Sequence, residues 1–129
     1  MNLWVIAPRI AQGRLIEPLT DPSYRVFSSE TALAAFDAMP GGRIQVEAFV
    51  VGGFDAAAAA SAVSAIRAHP TVWKVPVLVV GESFGTSESI VLNSAGADLC
   101  YTQPFNAAAY AAQVRQLVAL KETRSERQP

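Results

Sequence analysis

Four short, almost continuous apolar runs divide this chain, at residues 3–7, 48–51, 77–80 and, less strongly, 99–102. Runs of that length rich in Val and Ile suit parallel strands buried on both faces. A weaker strand is predicted over residues 24–28. Between the runs the apolar spacing becomes helical. Ala32, Ala35, Phe36 and Met39 follow i, i+3, i+4, i+7, with Ser28 or Ser29 as cap. Ala59, Ala62, Val63 and Ile66 repeat the pattern, and Tyr110, Val114, Leu117 and Val118 carry it through a last helix capped by Asn106. Ile90 and Val91 give the apolar face of a short helix after Gly85-Thr86-Ser87. Ala11, Leu15 and Leu19 share a face of a first helix that Gly13 weakens and Pro18 ends or kinks.

The order is strand then helix, five times. Such alternation predicts a parallel sheet with helices on both faces, because right-handed crossovers place them there. Punctuation agrees: Pro40-Gly41-Gly42 precedes the third strand, and His69-Pro70 with Pro76 precedes the fourth. Residues 1–120 read as one domain and residues 121–129 as a polar tail or linker.

Composition narrows the function. Apolar residues make up 51% and charged residues 16%, enough for a core and too apolar for a disordered chain. The net charge is −1, with no basic block of the kind nucleic-acid binding needs. The N-terminal apolar run stops at Pro8-Arg9 and lacks a leader's basic start. The longest apolar stretch, residues 56–66, is broken by serines and falls short of the ~20 residues that span a bilayer. Cys100 is the single cysteine, which excludes an internal disulfide. A soluble cytoplasmic protein is expected, with no membrane insertion.

The segment Gly96-Ala97-Asp98-Leu99-Cys100-Tyr101-Thr102-Gln103-Pro104-Phe105 resembles the end of a bacterial response-regulator receiver domain, which usually reads Gly-Ala-Asp-Asp-Tyr-Leu-Thr-Lys-Pro-Phe. Residues 66–70 and 74–80 look like that family's third helix and the approach to its fourth strand. The resemblance covers residues 2 to 119 and implies a doubly wound, flavodoxin-like sheet in the order 2-1-3-4-5. It also shows where the family's chemistry fails. The phosphoacceptor Asp falls on Gly52, and the hydroxyl residue after the fourth strand falls on Gly81. The Mg²⁺-holding acidic pair falls on Ala7 and Pro8, and the phosphoryl-contacting lysine falls on Gln103. Cys100 takes the place of the aromatic residue whose rotamer reports phosphorylation.

Phosphoryl transfer needs a carboxylate nucleophile and a divalent cation, and Mg²⁺ needs hard oxygen ligands. Ala7, Pro8, Gly52 and Gly81 have no side-chain oxygen, and Gln103 has no charge. Asp55 and Glu82 lie near the same edge, but Asp55 is three residues past the nucleophile position. The resemblance therefore implies a pseudo-receiver: no enzyme, no metal, no cofactor, and a phosphorylation-independent role in protein–protein interaction. In receivers the fourth helix, fifth strand and fifth helix commonly bind partners or form dimers. The matching residues here are Cys100, Tyr101, Ala108, Ala109, Ala112, Gln113 and Gln116.

The alternative is a sensor of a small anion or nucleotide. Losing the carboxylates would open the mouth of the sheet to Arg9, Ser83 and Gln103. The loop of Gly81, Ser83, Gly85, Thr86, Ser87 and Ser89 could cradle phosphate, or be a plain loop and helix cap. Other residues have plainer readings. His69 suits a solvated turn, Trp4 the core, Trp73 a partly exposed loop, and Cys100 a small buried hydrophobe. The alanine tracts at 56–60 and 107–112 fit helix propensity or close helix approach.

Overall fold

The apolar runs are continuous because both sides of the sheet are covered. The computed structural model describes residues 1–39 and 46–127, with side chains through residue 120. The Pro40-Gly41-Gly42 turn lies outside the described residues. Strands β1 (Asn2–Ile6), β2 (Arg25–Ser29), β3 (Ala48–Gly52), β4 (Val77–Val80) and β5 (Leu99–Tyr101) pair in parallel, in the order β2-β1-β3-β4-β5. Helices α1 (Arg9–Ile16), α2 (Ala32–Asp37), α3 (Ala56–Ala68), α4 (Thr86–Ala95) and α5 (Ala107–Arg127) make the connections and close the chain.

Successive strand residues serve opposite layers. Trp4, Ile6, Phe49, Val51, Val77 and Val79 pack with Ala35, Val63, Ile66 and Leu92, under α2, α3 and α4. Leu3, Val5, Val50, Leu78, Val80 and Tyr101 pack with Leu15, Tyr110, Val114 and Leu117, under α1 and α5. Trp4 is 2% exposed, and its indole N–H donates to Ser29 Oγ at 3.0 Å.

Helix ends follow local chemistry. Asp55 Oδ1 accepts the Ala58 N–H at 2.8 Å, and Asn106 Oδ1 accepts the Ala109 N–H at 3.0 Å. Helix α2 is capped by Thr31, not by Ser28 or Ser29; β2 runs on through both serines, and Thr31 Oγ1 accepts the Ala34 N–H at 3.0 Å. Helix α1 ends at Ile16, two residues before Pro18, yet Leu15 and Leu19 are both buried.

One expectation needs correction. Ile90 and Val91 are not the core face of α4: they are 59% and 52% exposed, and Leu92 alone is fully buried. Helix α5 runs on through residues 121–127, within the stretch read as a polar tail or linker. That stretch has no glycine or proline and is rich in Lys, Glu and Arg, all good helix formers.

Tyr110 ties α5 to α1. Its phenol donates to the Leu15 carbonyl at 2.7 Å, and burial holds its ionisation well above the ordinary range. The unfolded phenol ionises near pH ~10 and the folded one does so only at higher pH. This contribution to stability is therefore complete below pH ~10 and falls as pH rises beyond it. Urea melts at pH 8 and pH 11 should show a larger alkaline loss for wild type than for Tyr110→Phe. At pH 8 the variant should be weaker by about 1 kcal/mol. Equal alkaline losses would remove Tyr110 as the cause.

Candidate functional site

In sheets of this architecture ligands bind outside the carboxyl ends of the strands. Here those ends are filled with apolar atoms. Gly52 closes β3 and is buried; a Cβ built on it would lie 2.7 Å from Leu15 Cδ1 and 3.3 Å from Val80 Cβ. A side chain of α1 therefore occupies the space a residue at 52 would use. Gly53 follows with φ +78°, and a Cβ there would meet Ala11 Cβ at 2.7 Å and Pro8 Cδ at 2.9 Å. The first turn of α1 rests directly on the end of β3, an approach only glycine permits.

Gly81 is filled from another direction. The Phe84 N–H donates to the Gly81 carbonyl at 3.0 Å, which folds the loop back on itself. The Phe84 ring then covers Gly81 so closely that a Cβ would lie 2.1 Å from its Cδ2. Above this, Arg14 pairs with Glu82 at 2.5 Å, and its guanidinium carbon lies 4.3 Å from the Phe105 ring centroid. What remains is a cleft of about 150 Å³, with Arg14, Phe54, Glu82, Ser83, Phe84 and Phe105 on its walls.

The residues expected at an open mouth do not converge. Ser83 lines the cleft, whereas Arg9 and Gln103 are exposed and stand outside its lining. Ala7 is fully buried, and its carbonyl accepts from Gln12 Nε2 at 3.0 Å. Asp55 is engaged as the α3 cap and Glu82 in the Arg14 pair. At the start of α4 the Glu88 carboxylate accepts the Gly85 N–H at 3.2 Å, so an anion already occupies the serine-rich loop. Among the described residues, no group of three or more His, Cys, Asp or Glu comes together to hold a metal. A second, more apolar groove of about 430 Å³ runs between α2 and α3, with Leu33, Phe54 and Ala62 among its walls.

At the other proposed surface, β5 is an edge strand. Ala108, Ala109 and Gln116 are exposed, while Ala112, Gln113 and Cys100 are half-buried. Burial pushes the Cys100 thiol upward in pKa. Tyr101 does not belong to a partner surface. It is 4% exposed because α5 covers its side of the strand. Its hydroxyl donates to the Pro104 carbonyl at 3.0 Å and accepts the Asn106 N–H at 2.9 Å, which shapes the turn into α5. Sequence reasoning missed Arg14, Phe84 and Phe105, whose proximity arises only when helix α1 meets two separate loops.

The Gly-Ala-Asp segment serves the opposite end of the sheet. Gly96 ends α4 at φ +117°. Arg67 Nε and Nη2 donate to its carbonyl at 2.9 and 2.7 Å, and Nη2 also meets Asp98 Oδ2 at 2.7 Å. The same carboxylate oxygen accepts the Val77 N–H at 2.9 Å, at the start of β4.

No family model matches the sequence, and no curated protein matches it. Solved structures match it in shape. A response regulator from Thermotoga maritima superposes with a TM-score of 0.75 at 18% identity, covering 92% of this chain and 97% of that one. The receiver domain of a sensor histidine kinase from Pseudomonas aeruginosa, solved with a magnesium ion coordinated in its active-site cleft, gives 0.73 at 17% identity over 92% and 97%. An orphan response regulator of H. pylori gives 0.71 at 18% identity over 92% and 96%. Identities this low carry the fold and leave the chemistry to the site. On its topology and these neighbours, the chain has the receiver fold.

Proposed function

We propose that this chain is a pseudo-receiver: a module that takes no phosphoryl group and works as a constitutive protein-interaction or scaffolding unit in bacterial signalling, in the cytoplasm. The observation that carries the reading is the filled end of the sheet. Leu15 stands where a side chain at 52 would go, and Phe84 where one at 81 would go. The Pseudomonas neighbour holds magnesium in its cleft. In this chain Ala7, Pro8 and Gly52 offer no side-chain oxygen at the resemblance's metal and nucleophile positions. The partner surface is the face of α4, β5 and α5, where the small or uncharged residues Ala108, Ala109 and Gln116 are exposed and Ala112 and Gln113 half-buried. Such residues approach another protein without desolvating charge. Ile90 on α4 adds exposed apolar area.

The small-ligand reading has less support. Its mouth is closed, Arg14 is paired with Glu82, and Arg9 and Gln103 lie outside the cleft.

Amide spectra recorded with Mg²⁺ and beryllofluoride, and intact mass after treatment with acetyl phosphate, should match those of the untreated protein. A phosphorylated species, or shifts centred on Gly52 and Gly81, would overturn the proposal. For the surface, Ala109→Arg and Ala112→Glu are made separately and checked by circular dichroism. Each should abolish capture of the partner recovered with wild type, or self-association. If both variants fold and associate as wild type does, this face is not the interface.

A further inference from the structure

The loop between β4 and α4, residues 81–85, is tied down from two sides. From within, the Phe84 ring covers Gly81, held by the Phe84 N–H to Gly81 carbonyl bond. From across the mouth, Arg14 of α1 pairs with Glu82 while its guanidinium carbon lies over the Phe105 ring. Phe105 belongs to the loop after β5, and its ring meets Tyr101 of β5 at 6.2 Å and Tyr110 of α5 at 5.4 Å between centroids. Arg14 thus links α1, the loop that starts α4, and the loop that starts α5. The Glu88 carboxylate carries the connection into the first turn of α4 through the Gly85 N–H.

From this arrangement we infer that Arg14, Glu82, Phe84 and Phe105 form a fixed clasp that sets the seating of α4 against β5. The clasp acts in place of any bound group, because Phe84 covers the place over Gly81 and Arg14 is already paired with Glu82. Arg14 and Glu82 side chains are 54% and 37% exposed, so the ion pair alone is weak. Its hold comes from the ring beneath the guanidinium and from the Phe84 plug acting together. Loosening either part should let α4 lift away from β5, and loosening both should do so more.

The chain contains its own reporter. Cys100 is the only cysteine, sits on β5, and has its Sγ 3.8 Å from Asn93 Oδ1 of α4. Its half-burial makes its reaction with a thiol reagent a measure of how tightly α4 is seated. The experiment is the rate of Cys100 labelling by Ellman's reagent at fixed pH, in wild type, Arg14→Gln, Phe84→Ala and the double variant. Thr31→Ala, which removes the α2 cap far from the clasp, serves as the control for general loss of stability.

Labelling should accelerate by about threefold in Arg14→Gln, as expected for a half-exposed pair. Phe84→Ala, which removes the plug, should accelerate it by about tenfold through local opening. Thr31→Ala should leave the rate near wild type. Unchanged rates in both clasp variants would overturn the inference, as would an equal rise in Thr31→Ala. No partner or phosphoryl donor enters this test, so its outcome is separate from that of the function proposed above.

Discussion

Gly52→Asp, which puts back the carboxylate that the resemblance places there, is expected to yield no phosphorylated protein and a fold weakened by about 3–5 kcal/mol. The position is buried, and the first carbon of the new side chain would lie 2.7 Å from Leu15 Cδ1. Leu15 is 3% exposed, so it cannot swing into solvent without emptying its place under α1. Overpacking of this kind costs about 1–3 kcal/mol. The carboxylate then adds its own desolvation, with Val80 on one side and Leu15 on the other.

Arg14 is the cation among the cleft-lining residues, and it is already paired with Glu82. The new acid should therefore titrate above the ordinary carboxylate range. A folded-state pKa raised in this way contributes stability only while the group is protonated, and that contribution is lost as pH rises. The deficit against wild type should accordingly be smaller at pH ~4 than at pH 7. Urea melts at the two pH values give both quantities. A variant as stable as wild type, or one labelled in a Mg²⁺-dependent way, would show that Leu15 does not close the site. Without metal ligands at Ala7 and Pro8, one carboxylate has nothing to neutralise the charge that develops during transfer.

Much of this fold was legible in the sequence. Strands buried on both faces leave unbroken apolar runs, so β1, β3 and β4 could be placed within a residue. Helical spacing identified Tyr110, Val114, Leu117 and Val118, all of them buried. The errors arose where a short local pattern was ambiguous. At the edge strand, Cys100 and Tyr101 face opposite sides, and only the packing of α5 tells that Tyr101 is covered. On α4, three consecutive apolar residues, Ile90, Val91 and Leu92, left the inward direction open. The site was half legible. Missing oxygens can be read from Ala7, Pro8, Gly52 and Gly81, but a glycine does not say what fills the space it leaves. The sequence suggested an open mouth there. Arg14 and Leu15 come to it from α1 and Phe84 from the loop after β4, and no local signal announces their meeting.

The segment that carries the family resemblance should prove a structural one, and Asp98→Ala should show it with a loss of about 3 kcal/mol. Arg67 and Asp98 side chains are 20% and 11% exposed, so water replaces a lost partner poorly. One carboxylate oxygen accepts from both Arg67 Nη2 and the Val77 N–H. Removing it takes the anion from a mostly buried guanidinium and the acceptor from the first amide of β4 in one step. Arg67 also donates to the carbonyls of Gly96, Trp73 and Val75, so it fastens the end of α3 to the turns before β4 and β5. Asp98→Asn keeps an oxygen for the Val77 amide and loses the charge, so its loss should be about half as large. This assembly sits at the amino ends of β4 and β5, whereas Gly81 and Gln103 follow their carboxyl ends. Near-wild-type stability of Asp98→Ala in urea would mean that Arg67 is held well enough by backbone carbonyls alone. The Gly-Ala-Asp pattern would then need another cause. A three-kilocalorie loss would give the Gly96-Ala97-Asp98 part of that segment a structural cause: it joins the amino ends of two strands, at the opposite end of the sheet from the cleft.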